Sequence, residues 1–235
     1  MKFKLPSFEL TPPISIIIAG VIIAGAIIFT SQRSSGVVAD TNQQGGAVPT
    51  AAVNVPVPTD KDNIIGSPSA PIALVEYSDF QCPYCQMIYP TLKKIVSESN
   101  GDISWTMREY PLYQIHPQAT PSANAALCIA EQLGSAGYFK YADAVFNDQK
   151  SLTPEFSATL AKQFGADMGK YNTCVKNSTY QNRIDTESAD AQNSGGNGTP
   201  YTVIINTKTG KQYPISGALP YAQLVAAIEQ VKAGK

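Results

Sequence analysis

The stretch Ile72-Ala-Leu-Val-Glu-Tyr-Ser-Asp-Phe-Gln-Cys82-Pro83-Tyr84-Cys85 runs from a β-type segment through a short turn into two closely spaced cysteines. Ile72–Tyr77 is apolar and β-branched, which predicts a buried strand. From Cys82 to Glu98 the pattern turns helical, with Ile88, Leu92, Ile95 and Val96 on one face. Pro83 stands early, where a missing N–H costs little, and Pro90 predicts a kink. A thiol at the start of that helix meets unpaired backbone N–H groups and the positive end of the dipole, which favour thiolate over thiol. A second cysteine one turn on is placed to attack a mixed disulfide formed by the first. The pair reads as redox chemistry rather than a staple, because so short a bridge restricts the unfolded chain little.

Downstream, Ile103–Arg108 predicts a second strand, with Trp105 and Met107 on one face. Two strands joined through a helix form a βαβ unit with a parallel pair. From Pro117 to about Ser194 the pattern is helical, with candidates at Pro117–Leu133, Tyr138–Phe146, Pro154–Phe164, Met168–Val175 and Tyr180–Gln192. Thr153-Pro154-Glu155 is a helix start and Asp167 a cap. Gly195 to Gly198 then break the chain, and Tyr201–Asn206 predicts a strand that turns through Asn206–Gly210 into Lys211–Ile215. A last helix, Tyr221–Lys232, buries Leu224, Val225, Ile228 and Val231. The order is βαβ, a helical block, then ββα: an α/β sheet with an all-helical insertion.

Upstream, Ile14–Phe29 carries no charge, with Lys2 and Lys4 before it and Arg33 after. About 20 apolar residues span a bilayer, and the basic residues predict a cytoplasmic N-terminus. The expected organisation is a cytoplasmic segment over 1–13, a signal-anchor helix over 14–31, and a flexible linker over 32–63. A domain over 64–235 would then lie outside the plasma membrane. The alternative is a cleaved signal peptide, since Val37-Val38-Ala39 resembles a cleavage site. Either route predicts an oxidising compartment. The chain has 235 residues, 43% hydrophobic and 15% charged, with formal net charge −1. That near-neutral balance, without a basic stripe, argues against nucleic acid as a partner.

Taken together these motifs resemble the DsbA-like branch of the thioredoxin superfamily, in its membrane-anchored bacterial form. The resemblance covers about residues 64–235. It rests on Glu76-Tyr-Ser-Asp-Phe-Gln-Cys82-Pro-Tyr-Cys85, Pro90, Tyr110-Pro-Leu112 with Ile115-His-Pro117, Gly198-Thr-Pro200, and Gly217-Ala-Leu-Pro220. It implies a thioredoxin fold with a helical insertion over about 117–194, and thiol:disulfide oxidoreductase activity that oxidises exported proteins. Cys82 matches the family's exposed nucleophile and Cys85 its more buried partner. Pro83-Tyr84 is the dipeptide that tunes them, with Tyr84 standing where the strongest oxidants carry a histidine. Thr199-Pro200 matches the cis-proline loop that receives an extended substrate. Glu76, on the Leu74 face of its strand, matches a buried acid that shuttles the proton of Cys85. A second disulfide, Cys128–Cys174, is implied in the helical region. No cofactor beyond the redox-active disulfide is implied, and no metal. The implied partners are reduced exported polypeptides and a membrane reoxidant of the DsbB or VKOR type.

Other readings stay open at this level. A reductase or isomerase would use the same residues, although residues 32–63 are too polar and short for the dimerisation domain an isomerase brings; a monomer is expected. A CxxC metal carrier would need paired thiolates that the single Cys128 and Cys174 do not offer. His116, the only histidine, is expected to cap or hydrogen-bond rather than serve a Cys–His hydrolase.

Overall fold

A computed structural model describes residues 53–234. The expected span over 14–31 and most of the expected linker lie outside the described residues. Among the described residues, no helix is long and apolar enough to cross a membrane.

Five strands form one sheet in the order β1-β3-β2-β4-β5: β1 (Ile64–Ile65), β2 (Ile72–Ser78), β3 (Ile103–Glu109), β4 (Tyr201–Asn206) and β5 (Gln212–Ser216). β2 and β3 are parallel, as their connection through α1 (Pro83–Glu98) requires. β4 runs antiparallel to β2, and β5 to β4. The β4–β5 turn is fixed by Asn206, whose side-chain oxygen accepts the N–H groups of Lys208 and Thr209. Gly210, at φ 73, closes it in a conformation that side chains other than glycine resist.

Alternation along β2 assigns its two faces. Leu74 is level with Trp105 on β3 and Ile204 on β4, so three large side chains make one row. That row packs with Ile88 and Leu92 of α1 and with Leu224, Ile228 and Val231 of α6 (Tyr221–Lys232). The odd positions Ala73, Val75 and Tyr77 face the other way, against Tyr201, Val203, Ile205 and Ala191. Fully burying each Leu or Ile is worth about 1.5–3 kcal/mol, so a one-residue slip of β2, which exchanges its faces, is strongly disfavoured.

Val55 joins this second cluster at 1% exposure, and its N–H and C=O both bond the Gln212 side chain at 2.7 and 2.8 Å. The expected linker therefore ends earlier than residue 63. A stretch without period still seats one valine in the core because a single glutamine satisfies its backbone.

The insertion comprises α2 (Ala119–Asn147), a 3-10 turn (Gln149–Ser151), α3 (Pro154–Gln163), α4 (Met168–Lys176) and α5 (Gln181–Asn193). The two helices expected over 117–133 and 138–146 join as α2, with Gly134 as a non-helical break at φ 66. Thr153 and Asp167 cap α3 and α4 through Phe156 N–H and Lys170 N–H. Cys128 on α2 and Cys174 on α4 are joined by a disulfide.

Candidate active site

β2 delivers the chain to the site and α1 receives it. Cys82 is the residue preceding the first turn of α1, with Pro83 at the first helical position. The turn between them is clamped by two of its own side chains, Asp79 and Gln81, and by Gln149 from the insertion. Asp79 accepts the N–H of Gln81 at 2.7 Å and of Leu112 at 2.8 Å, and its second oxygen also meets His116 Nδ1 at 2.8 Å. Gln149, from the 3-10 turn of the insertion, donates from one amide nitrogen to the carbonyls of Phe80 and Cys82, both at 2.9 Å. Gln81 in turn accepts the N–H of Gln118 at 2.7 Å. Phe80 anchors the same turn among Tyr141 and Phe146 of α2, at ring distances of 5.3 and 5.6 Å.

The two thiols are unlinked in this structure and differ in environment. Cys82 is pulled down to about 6. The main cause is a hydrogen bond from the Cys85 thiol; burial opposes it, and the Thr199 hydroxyl and the backbone N–H groups of Cys85 and Tyr84 add to it. Cys85 is pushed well above the usual thiol range, first by burial and then by its role as donor to Cys82 and by the charge of Glu76. Its sulfur accepts the Asp79 N–H at 3.4 Å. One sulfur is poised as a thiolate and the other held as a thiol.

The resemblance implied an exposed Cys82, yet the residue is 3% exposed against 0% for Cys85. The Thr199 loop covers it: Cys82 Sγ–H donates to the Thr199 carbonyl at 3.4 Å. The Thr199–Pro200 peptide bond is cis. Tyr84 is more than half exposed, as are Met87 on the next turn of α1 and Tyr113 and Ile115 on the segment that Asp79 ties to the site.

Glu76 is fully buried, with Oε2 taking the indole N–H of Trp105 at 3.1 Å. Burial pushes its carboxyl from 4.5 up to about 7, opposed by the neighbouring Ser78 hydroxyl and the Trp105 indole N–H and reinforced by the charge of Cys82. The folded state thus binds this proton more tightly than the unfolded chain does. Between about pH 4.5 and 7 stability falls as pH rises, by about 3 kcal/mol in all, and the cost is absent at lower pH. Glu76→Gln, which keeps an acceptor for Trp105, is expected to be more stable than the parent at pH 8 by as much as about 3 kcal/mol. At pH 4 it gains nothing. Urea unfolding at both values checks this, and an equal effect at both would refute it.

Among the predicted residues, the structure brings together Cys82, Cys85, Glu76, Pro83, Tyr84, Thr199 and Pro200, and places Cys128–Cys174 apart in the insertion. Ser78, Asp79 and Gln149 join the site without having been singled out, and so does Trp105, read from sequence only as a strand-face residue. Ser78 and Asp79 lie inside the decisive stretch, so their spacing from Cys82 was available; Gln149, 67 residues beyond Cys82, left no signal. Among the described residues, no group of three or more His, Cys, Asp or Glu is placed to hold a metal ion.

Comparison with known proteins agrees with this architecture. A thioredoxin family model matches residues 58–230. Among solved structures, DsbA2 of Pseudomonas aeruginosa is 24% identical with a TM-score of 0.62, covering 72% of this chain and 93% of that one. Oxidised BdbD of Bacillus subtilis is 18% identical with a TM-score of 0.63, covering 77% and 98%. Curated relatives include the Na(+)/H(+) antiporter NhaA 1 of Mycolicibacterium gilvum, 27% identical over 74% of this chain, and NhaA 3 of Salinispora tropica, 30% identical over 65%. The chain spans about a quarter of the length of those two relatives, 27% and 22%.

Proposed function

The chain belongs to the thioredoxin family, and from that premise we propose that it is an extracytoplasmic thiol:disulfide oxidoreductase that oxidises cysteine pairs in exported polypeptides. The observation that carries this reading is the asymmetry of the two thiols, with Cys82 near 6 at a helix start and Cys85 held as a buried thiol.

In the oxidised protein a substrate thiolate attacks Cys82 Sγ and expels Cys85. A second substrate thiolate then attacks the substrate sulfur of the mixed disulfide. Cys82 leaves readily because its thiolate is stable. The substrate loses two electrons and the protein disulfide gains them, so the Cys82–Cys85 pair is its own redox group and needs no bound cofactor.

Substrate would lie against the Thr199–Pro200 loop, a short strand addition. In the oxidised protein Cys82 carries no proton to donate, which leaves the Thr199 carbonyl free for a substrate N–H. Tyr84, Met87, Tyr113 and Ile115 give an uncharged rim suited to unfolded, apolar-rich chains. The Cys128–Cys174 disulfide and the basic–apolar order of residues 2–29 support a position outside the membrane, anchored by residues 14–31. Each turnover leaves the pair reduced, so a membrane oxidant of the DsbB or VKOR type is the partner that fits.

Thiolate absorbance of the reduced protein should titrate with a midpoint near 6, against about 8.5 for a free cysteine. A midpoint above 8 would remove the basis of the reading. The direction of electron flow is tested by equilibrating the full chain with glutathione redox buffers. A potential toward about −120 mV supports disulfide donation; one near about −270 mV replaces it with a reductase.

A further inference from the structure

Expulsion of Cys85 creates a second thiolate in a fully buried place, and it must gain a proton at once. Glu76 is the nearby acid, yet the hydrogen bonds around it leave a gap in the route. Trp105 occupies one carboxyl oxygen, Oε2, while Oε1 is buried without a partner. Ser78 Oγ is likewise buried without a partner at hydrogen-bonding distance.

These two idle groups lie two residues apart on β2, on the Ile72–Leu74 face that α1 covers. The next residue, Asp79, sends its N–H to Cys85 Sγ. Carboxyl and hydroxyl thus share one face of β2, and the residue after the hydroxyl meets the Cys85 thiol of α1. A buried hydroxyl left unpaired is unfavourable, and a serine that both donates and accepts is suited to pass a proton on.

We propose that the Ser78 hydroxyl relays the proton between Glu76 and Cys85, with Trp105 as the positioning residue that pins Oε2 and leaves Oε1 for the relay. The inference rests on the oxidoreductase reading above and adds a residue to it. When Cys85 leaves Cys82, its thiolate takes the Ser78 O–H proton as Ser78 takes the Glu76 carboxyl proton. The products are the Cys85 thiol, an intact Ser78 hydroxyl and the Glu76 carboxylate. In reoxidation the same two protons move the other way, and Cys85 becomes the thiolate that attacks a mixed disulfide at Cys82.

The electrostatics agree, since the Ser78 hydroxyl favours the charged forms of both Glu76 and Cys85. The other titratable groups that sense Glu76 or act on it are Cys82 and Tyr89 of α1. Glu109, level with Ser78 on β3, takes the Tyr138 hydroxyl on Oε1 at 2.5 Å and has Oε2 buried without a partner, so a parent-like rate in Glu76→Gln would make Glu109 the proton source and overturn the relay. Trp105 itself is held by Tyr89 and Phe139, each at a ring distance of 5.2 Å.

The test is single-turnover reduction of the oxidised full chain by a dithiol peptide from pH 5 to 9, for the parent, Ser78→Ala, Ser78→Thr, Glu76→Gln and the Ser78→Ala/Glu76→Gln pair. Glu76→Gln is expected to slow the step by about a hundredfold and Ser78→Ala by about tenfold. Ser78→Thr should restore the rate, and the double variant should be no slower than Glu76→Gln alone. The Cys82 thiolate midpoint should not move in Ser78→Ala, which separates lost proton transfer from a distorted site. In mixed light and heavy water the parent rate should bend with deuterium fraction, as two protons in flight require; this needs no variant to fold.

A parent-like rate in Ser78→Ala beside a slow Glu76→Gln, multiplying effects in the double variant, or a linear dependence on deuterium overturns the relay and leaves the oxidoreductase reading standing. Full exchange by Cys82→Ser would overturn that reading itself.

Discussion

Cys82→Ser is expected to bring thiol–disulfide exchange down to the uncatalysed background, the largest loss any single substitution in this chain should cause. A serine hydroxyl neither ionises near neutral pH nor forms a mixed disulfide, so both half-reactions end. Cys85→Ala is expected to fail differently. Cys82 keeps the Thr199 hydroxyl and the N–H groups at the start of α1, so it still attacks disulfides, but nothing within the protein resolves the adduct. Mixed disulfides with substrate should accumulate and be visible as mass additions on non-reducing gels. Because the Cys85 thiol is the first cause of the low Cys82 value, the thiolate midpoint in this variant should rise above 6. Unchanged turnover in Cys82→Ser, or the absence of trapped adducts in Cys85→Ala, would sink the assignment of the two roles.

The order of elements and the two cysteines were legible because each carries a local signal. β-branched runs, a proline at a helix start and a glycine in a hairpin turn act within a few residues, and so survive in one dimension. Tyr201–Asn206 and Tyr221–Lys232 match the structure to the residue. The helix break at Gly134 was legible as an interruption but not as a continuation, since glycine ends a helix as readily as it bends one.

What escaped depends on long-range pairing. Gln149 reads as one polar residue among many, and becomes decisive only when the insertion folds back to set its amide between the Phe80 and Cys82 carbonyls. Glu109 falls one residue past the strand expected over Ile103–Arg108. In the fold it is buried, and the Tyr138 hydroxyl and Glu187, which takes its N–H at 2.7 Å, bind it to α2 and α5. A carboxyl hidden in this way has no compositional mark. The enclosure of Cys82 is similar, because the Thr199 carbonyl that covers it lies 117 residues away.

Removing the second disulfide should be the largest stability effect, and it should leave chemistry almost untouched. Cys128 and Cys174 are 46 residues apart, and closing a loop of that length restricts the unfolded chain by about 4 kcal/mol in the chain-entropy model. Cys128→Ala/Cys174→Ala is therefore expected to lose about 4 kcal/mol in urea unfolding and to melt about 10 °C lower. A loss under about 1 kcal/mol would mean that the unfolded chain is already constrained without the bridge. Exchange activity below the melting range should stay near that of the parent. The bridge ties α4 to the half of α2 that precedes Gly134, whereas Tyr138, Tyr141 and Phe146, which pack around Phe80 or its neighbours, all follow that break. Gln149 lies further on still, so the clamp on Cys82 is built from the half of the insertion that the disulfide does not hold. A matching fall in activity and stability would show instead that the two halves of α2 move as one body, and that the bridge supports the reactive thiol through the Gly134 break.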